Sequence, residues 1–444
     1  MFVRDPVTLI RDIVAEGVSR NLVYIFGARC GLVLLEFVAV LLLARILGAT
    51  RYGVYAYVMA WIGVLAVPAA AGFDRLLVRE VAIRQARSEW PEIKGLLRFS
   101  TSAVMLTALS MAFVLCLLSS PLSRGNQDLH AGLLWGSLLL PLIAYARIRQ
   151  AMLQGLGHVV AGQIPETLVQ PASFVIAVGT IYLITGHPET GSEGLLIQVA
   201  AAGLALLVGL SLLRARMPLA VLNSSPRYLR REWIVQALPF MWLLAMNMAL
   251  MNLDTLVLGT RATSEDVGVY RIASQMAGLV VFPLTAINMI TAPRIAAMFG
   301  AGDMIRLQTV VRRGARLAFA SGALIAVLMT LLGRPVLRLF GDEFEAGYEA
   351  LLILVLGYLA NAGLGVSGYV LIMTRFERVA AALFMVAVAT DLILCSLLIP
   401  RIGMNGAAVG TSVSVMLLGL LMTVFANRRL GINASAFSAK PDKE

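Results

Sequence analysis

The chain has 444 residues, of which 59% are hydrophobic and only 14% charged, and its mean hydropathy is +0.85. Soluble domains carry about a quarter charged residues, so this composition excludes a soluble globular protein and predicts an all-α polytopic membrane protein. The net charge of +11 does not indicate nucleic acid as a partner, because the basic residues lie in short segments between apolar runs.

The first 20 residues place apolar and charged side chains in the pattern of a short amphipathic segment on the bilayer surface, with no signal-peptide cleavage pattern after it. Beyond them, apolar runs of about 20 residues recur, the length that crosses a bilayer as a helix. Every connection is short, so no soluble domain is expected. The twelve predicted spans are 22–46, 54–73, 97–119, 131–153, 163–184, 193–213, 233–259, 269–292, 316–340, 350–373, 378–399 and 406–426.

The basic residues are distributed unevenly between the two sides of the membrane. If the N-terminus is cytoplasmic, 27 of the 36 Lys and Arg residues fall on the cytoplasmic side and seven on the outer side. The positive-inside rule therefore predicts that both termini are cytoplasmic. Among the cytoplasmic residues, we expect Arg75, Arg79 and Arg84 to contact anionic lipid headgroups.

An internal duplication relates the two halves. Residues 53–82 align without a gap on residues 268–297 with eight identities, where roughly two or three are expected between apolar segments, and such repeats are common in transporters. Both halves enter the membrane in the same sense, so we predict two six-helix lobes related by a pseudo-two-fold axis along the membrane normal. The predicted divisions are an amphipathic segment 1–20, lobes 21–213 and 233–427, a basic cytoplasmic linker 214–232 and a cytoplasmic tail 428–444.

Several segments resemble one known family. Residues 41–48 (LLLARILG), 52–55 (YGVY), 72–80 (GFDRLLVRE) and 154–157 (QGLG), with the repeated Gly-Val-Tyr turn, are similar to the polysaccharide transporter family. The resemblance implies a flippase of the multidrug/oligosaccharidyl-lipid/polysaccharide superfamily. Its substrate would be an undecaprenyl-pyrophosphate-linked oligosaccharide, moved across the bacterial inner membrane by alternating access for cell-surface polysaccharide synthesis. Polysaccharide polymerase or export proteins would be partners.

Relatives that flip lipid-linked sugars line an inter-lobe cavity with arginines, including on the first and eighth helices, where Arg29 and Arg271 lie here. A pyrophosphate needs cations at membrane depth, and the planar guanidinium suits phosphate oxygens. Three alternatives stay open: Arg29 pairs with Glu36 or Glu166 to fix packing, Arg271 extends to the outer surface, or Arg147 and Arg149 are positive-inside anchors at the cytoplasmic end of the fourth span. The predicted substrate-binding residues are Arg29, Arg271, Gln275, Arg147, Arg149, Gln163, Gln170 and Asn247.

Four acids fall inside predicted spans: Glu36, Glu166, Asp254 and Asp391. Ionisable residues in a membrane are costly and usually functional. We expect these acids to bind protons or sodium ions and drive transport, or to neutralise cavity arginines between substrates, with a packing role as the alternative for Asp391.

No cofactor or metal site is predicted. Cys30, Cys116 and Cys395 lie in apolar runs without ligand spacing, and the sequence lacks a phosphate-binding Gly-x-x-x-x-Gly-Lys-Ser/Thr motif. H⁺ or Na⁺ coupling would be the energy source.

Two other functions are weighed against a flippase. An ion-coupled multidrug or metabolite exporter of the same superfamily shares the fold, but a cavity for cationic drugs should lack an arginine such as Arg29. A membrane polysaccharide polymerase or ligase needs a sizeable outer loop for catalysis, and no predicted outer loop exceeds about 15 residues. We therefore predict a carrier and not an enzyme.

Overall fold

The computed structural model describes residues 20–185, 190–374 and 376–437, without the side chains of residues 20–34, 185, 239, 240, 243, 289, 290 and 293. Residues 1–19 of the predicted amphipathic segment lie outside this description. The described chain is helical, without a β-strand. Its helices are α1 (Arg20–Ala70), α2 (Phe73–Ala86), α3 (Trp90–Ser123), α4 (Gln127–Gly155), α5 (Val159–Ile164), α6 (Gln170–Thr185), α7 (Gly191–Arg216), α8 (Leu219–Asn223), α9 (Arg230–Arg261), α10 (Ser264–Gly278), α11 (Phe282–Gly300), α12 (Met304–Arg338), α13 (Tyr348–Leu364), α14 (Ser367–Met373), α15 (Glu377–Ile402) and α16 (Met404–Leu430).

Each of the twelve predicted spans falls on helix, which confirms the predicted fold class. Ten stretches of the described residues are long and apolar enough to cross a membrane. The first of them, Leu35–Ala70, includes the end of the first predicted span and most of the second. Both spans lie within α1, which consists of two helical parts joined at a kink at Gly48, whose φ of 69° is a conformation that glycine adopts without steric cost. The seventh predicted span coincides with α9.

Three predicted spans consist of two helices each. A π-helical turn, Pro165–Val169, separates α5 from α6, and a 3₁₀ turn, Leu279–Val281, separates α10 from α11. In the tenth span, α13 ends at Gly365, whose φ of 79° stops the helix before α14 begins. Such interruptions are tolerated in a membrane where neighbouring groups satisfy the backbone.

The two halves of the duplication meet at a symmetric helix crossing. A Cβ atom at Gly53 would lie 1.6 Å from the Ser264 carbonyl oxygen, and one at Gly268 would lie 2.2 Å from the Ala49 carbonyl oxygen. The same offset of 215 residues relates Gly53 to Gly268 and Ala49 to Ser264. The repeat therefore places equivalent glycines of α1 and α10 against each other's helix, as expected at a pseudo-two-fold axis.

We call the side of the membrane near Gly48 the outer face, following the predicted orientation, and the other side the cytoplasmic face. The halves are joined at the outer face, where the Ala49 amide donates a 2.8 Å hydrogen bond to Glu343 Oε2. The rings of Phe37 and Phe340 also meet there, 5.7 Å apart. At the cytoplasmic face, Arg79 Nη2 donates a 2.6 Å hydrogen bond to Gln236 Oε1 across the same boundary.

One predicted lipid contact is wrong. Arg84 was expected to reach anionic headgroups, but it is only 5% exposed. Its guanidinium forms ion pairs with Glu80 and, at 2.9 Å, with Glu92 Oε2. A buried charge needs such partners, so Arg84 ties the end of α2 to the start of α3 and is not available to lipid.

Candidate functional site

Arg271 lies on a polar stripe of α10. Ser274 and Gln275 follow at spacings of three and four residues, which places them on the same side of the helix. Arg271 and Ser274 are half-buried and Gln275 is exposed, whereas Ile272 and Met276 on the opposite side are buried. The apolar residues of α10 thus pack the helix into the core, and the polar stripe takes no part in this packing.

The guanidinium of Arg271 lies between the two halves. It is within electrostatic reach of Tyr52 and Tyr55, from the second part of α1, and of Tyr358, from α13. Among the described residues, Arg271 forms no ion pair with an acid. The site therefore places a cation without an acidic counter-charge near three phenol groups, of which Tyr52 is buried and Tyr55 and Tyr358 are half-buried.

Asp254 is the centre of a buried polar cluster in the C-terminal half. It is 2% exposed. Its Oδ2 accepts hydrogen bonds from the Tyr270 hydroxyl at 2.6 Å and from Thr411 Oγ1 at 3.0 Å, and its Oδ1 accepts one from the Thr255 amide at 2.6 Å. Hydrogen bonds to a carboxylate of this kind compensate for its burial.

Asp391 joins this cluster from α15. It is fully buried, its Oδ1 accepts a long hydrogen bond from Cys395 Sγ at 3.5 Å, and its Oδ2 has no hydrogen-bond partner among the described residues. It lies close enough to Asp254 for the two carboxyl groups to interact. Two buried carboxylates that interact electrostatically cannot both stay charged without cost, so protonation of one of them or a bound small cation would relieve the repulsion.

The arginine site and the acid cluster are directly connected. Tyr270, which hydrogen-bonds Asp254, is adjacent in sequence to Arg271. Tyr358 interacts electrostatically with both Asp254 and Arg271 and is hydrogen-bonded to Ser274. Two tyrosines therefore lie near both the acid cluster and the arginine.

In the N-terminal half, Arg149 and Glu166 pair with each other. Arg149 Nη2 lies 2.5 Å from both Glu166 carboxylate oxygens, and the arginine is only 1% exposed. Arg149 was predicted to bind substrate or to act as a cytoplasmic anchor, and Glu166 to take part in coupling. The structure places Arg149 in the interior as the partner of Glu166, so neither a surface substrate contact nor an anchor describes it.

The remaining predicted residues differ in their exposure and surroundings. Arg147 is half-buried near Asp74. Gln163 and Gln170 are half-buried on either side of the π-helical turn, which contains an extra residue and so shifts them relative to each other. The others are Asn247, which is half-buried, Glu36, which is exposed, and Arg29, whose side chain lies outside the described residues.

Sequence reasoning missed the tyrosines and Thr411. One signal was present, because Tyr55 and Tyr270 occupy equivalent positions in the repeated Gly-Val-Tyr turn. Thr411 lies 157 residues from Asp254 in the chain, and nothing in its local sequence sets it apart from other threonines in apolar helices.

A two-half bundle of membrane helices with a cation between the halves and buried acids beside it defines a membrane transporter. The sequence matches the family described as "Polysaccharide biosynthesis protein" over residues 18–299 and the family "MatE" over residues 239–397. The first match spans more than half of the chain, so the chain belongs to the polysaccharide biosynthesis protein family.

Individual relatives agree with this assignment. The "Probable flippase AglR" of Haloferax volcanii is 22% identical over 407 residues, which cover 90% of this chain and 81% of that protein. An inward-facing MATE family multidrug resistance transporter of the MOP superfamily superposes with a TM-score of 0.75 at 14% identity, covering 89% of this chain and 94% of that one.

A Pyrococcus furiosus MOP superfamily transporter, whose structure was described as having a binding pocket of reverse polarity, gives a TM-score of 0.61 at 13% identity, over 90% of this chain and 93% of that one. At such identities, these structural likenesses show the fold.

Proposed function

We propose that the protein is a flippase that moves an undecaprenyl-pyrophosphate-linked oligosaccharide across the bacterial inner membrane by alternating access, with both termini cytoplasmic. The observation that supports this proposal best is Arg271, a cation within a predicted span that lies between the halves and has no acidic partner among the described residues. An unpaired charge at membrane depth is costly, so its retention is explained if an anionic ligand pairs with it during transport.

In this proposal the pyrophosphate binds Arg271, and the nearby tyrosine hydroxyls donate further hydrogen bonds to its oxygens. The guanidinium offers several donors in one plane, which suits phosphate recognition. The oligosaccharide occupies the space between the halves, and the polyprenyl chain stays in the lipid. Polysaccharide polymerase or export proteins would use the flipped product.

We further propose that Asp254 and Asp391 couple transport to H⁺ or Na⁺. Binding of a proton or a sodium ion removes the repulsion between the two carboxyl groups. Because Tyr270 hydrogen-bonds Asp254 and directly precedes Arg271, a change of charge at the acids would act on the substrate-binding guanidinium of Arg271 over a short path. The coupling ion, H⁺ or Na⁺, would thus be bound and released in step with the pyrophosphate.

The substrate site is tested by flipping of a lipid-linked oligosaccharide in proteoliposomes. Removal of the charge in Arg271→Ala should slow flipping by about 10- to 100-fold, the usual effect of losing a hydrogen bond to a charged group. Arg261→Ala is the matched control, because Arg261 is an exposed arginine at the end of α9, and it should flip at the native rate. Native-rate flipping by Arg271→Ala would refute the assignment of this site.

The coupling proposal is tested in the same proteoliposomes at varied pH and sodium concentration. The wild type should flip faster when a gradient of the coupling ion is imposed, whereas Asp254→Asn and Asp391→Asn should lose this response because neither amide can bind a proton or balance a cation charge. Residual flipping without a gradient should persist in both variants. An unchanged gradient response in both variants would rule out these acids as the coupling site.

The alternative that shares the fold is an ion-coupled exporter of multidrug type, and the MATE structures favour it as a second candidate. Arg271 argues against a cationic drug as substrate, since like charges would repel in the cavity. An organic cation tested beside the lipid-linked oligosaccharide separates the two functions. Gradient-driven transport of the cation without flipping of the lipid would establish the exporter.

A further inference from the structure

A second basic site, which includes Arg149 of the pair with Glu166, lies near the cytoplasmic face of the N-terminal half. A cavity of about 490 Å³ is enclosed by the first turns of α3, the ends of α4 and α7, and the segment that leads into α9. Leu97, Ile148 and Leu213 make part of its wall apolar. The cavity is therefore amphipathic, with an apolar wall beside a charged rim.

The charged rim is entirely basic. Arg98, Arg149 and Arg230 line the cavity, and none of its lining residues is acidic. Arg98 and Arg230 are exposed, and among the described residues neither has an acidic partner. Behind them, Nε and Nη1 of the buried Arg149 have no hydrogen-bond partner in the described chain. Glu166 neutralises Arg149, whereas Arg98 and Arg230 have no acidic partner in the described chain, so a bound anion would balance their charge.

Aromatic rings place Arg230 at this rim. Its guanidinium carbon lies 5.9 Å from the centre of the Phe99 ring and 5.2 Å from that of Tyr228. These cation–π contacts hold the charge beside the cavity. Aromatic and arginine side chains beside an apolar wall are typical of the headgroup level of a membrane.

The cavity is lined both by the N-terminal half and by the segment that leads into the C-terminal half. Tyr228 and Arg230 belong to the segment that connects the halves, and this segment packs on the start of α3. The Arg227 amide donates a 2.9 Å hydrogen bond to the Pro91 carbonyl, and Lys94 Nζ donates one of 2.7 Å to the Ser224 carbonyl. A Cβ atom at Gly95 would lie 1.8 Å from the Arg227 carbonyl oxygen. A ligand in the cavity would thus hold the connecting segment against the N-terminal half.

We propose that this cavity binds an anionic phospholipid, with the headgroup phosphate between Arg98 and Arg230 and an acyl chain along the apolar wall. The bound lipid fastens the connecting segment to the N-terminal half and so stabilises the position from which α9 starts. None of the residues that line this cavity belongs to the group around Arg271 to which the transport substrate is assigned.

Lipid binding to the purified full-length protein tests the proposal. The delipidated protein in neutral detergent is titrated with phosphatidylglycerol and with phosphatidylcholine, and bound lipid is counted by native mass spectrometry. Arg98→Gln/Arg230→Gln should weaken phosphatidylglycerol binding by roughly 5-fold per arginine, about 25-fold in total. The control Arg428→Gln/Arg429→Gln removes the same charge from exposed residues at the end of α16 and should bind as the wild type does.

One further double variant and one further ligand make the outcome decisive. Arg98→Lys/Arg230→Lys keeps the charge and should keep most of the affinity, which separates a lost cation from a damaged fold. Inorganic phosphate should compete poorly, because it lacks the acyl chain. Equal losses in the test and control variants, undiminished binding by Arg98→Gln/Arg230→Gln, equal affinity for phosphatidylcholine, or full competition by inorganic phosphate would each overturn the proposal.

Discussion

The guanidinium of Arg149 lies against the backbone of α7, because a Cβ atom at Gly209 would lie 2.4 Å from Arg149 Nε. Glycine at position 209 therefore makes room for the charge, and Glu166 neutralises it. The sequence identifies both residues as charges in or next to an apolar span. It does not identify them as partners, because they are 17 residues apart and the π-helical turn changes the direction of the glutamate.

The pairing predicts a large effect of single substitutions on stability. Arg149→Met leaves Glu166 without its partner and should lower the free energy of unfolding by about 3–5 kcal/mol. Arg149→Met/Glu166→Leu should regain most of that loss, since it removes both charges. The exposed pair of Arg306 and Asp303 provides the control, and Arg306→Met should cost less than about 1 kcal/mol. The measurement is denaturant unfolding in detergent micelles, and a double variant as unstable as Arg149→Met would contradict the pairing.

At the scale of helices, the duplication is the most informative feature of the sequence. It gives the equivalence of Gly53 and Gly268, but an alignment cannot tell whether equivalent residues touch. The structure shows that each glycine lies against the backbone of the opposite helix, which only a residue without a side chain allows. The interruptions at the π-helical turn and at Gly365 follow less clearly from the sequence, because proline and glycine also occur in uninterrupted spans, as at Pro68 within α1.

This crossing gives a prediction for a single methyl group. Gly53→Ala places a Cβ atom within 1.6 Å of the Ser264 carbonyl oxygen, so α1 and α10 must separate. We expect a lower unfolding temperature and slower transport. Gly203→Ala is the control, because a Cβ atom there meets nothing within 4 Å, and alanine favours a helix over glycine by about 1 kcal/mol. If both variants behave alike, close helix approach at Gly53 is not required.

For the whole molecule, hydropathy predicts the number of spans and loop charge predicts their orientation, because both depend on composition over many residues, whereas the division into halves follows from the duplication. The position of the site depends on contacts between distant segments. Asp254, Tyr270, Asp391 and Thr411 come from four helices, and only the folded chain brings them together. The sequence therefore predicts which acids lie in the membrane, but not that Asp254 and Asp391 form one cluster whereas Glu166 belongs to another.

Alternating access requires that the contacts between the halves at the outer face break during each cycle. Arg45 and Leu339 lie on opposite sides of this boundary, with Arg45 Nη1 3.5 Å from the Leu339 carbonyl oxygen. A reducible thiol cross-linker between Arg45→Cys and Leu339→Cys should stop transport, and reduction should restore it. Cross-linking Arg338→Cys to Glu345→Cys, which joins two neighbours within the C-terminal half, should leave the rate unchanged. Single-cysteine variants are treated with the same cross-linker as a control for the native cysteines. Native-rate transport by the cross-linked Arg45→Cys/Leu339→Cys protein would exclude movement of the halves at this face.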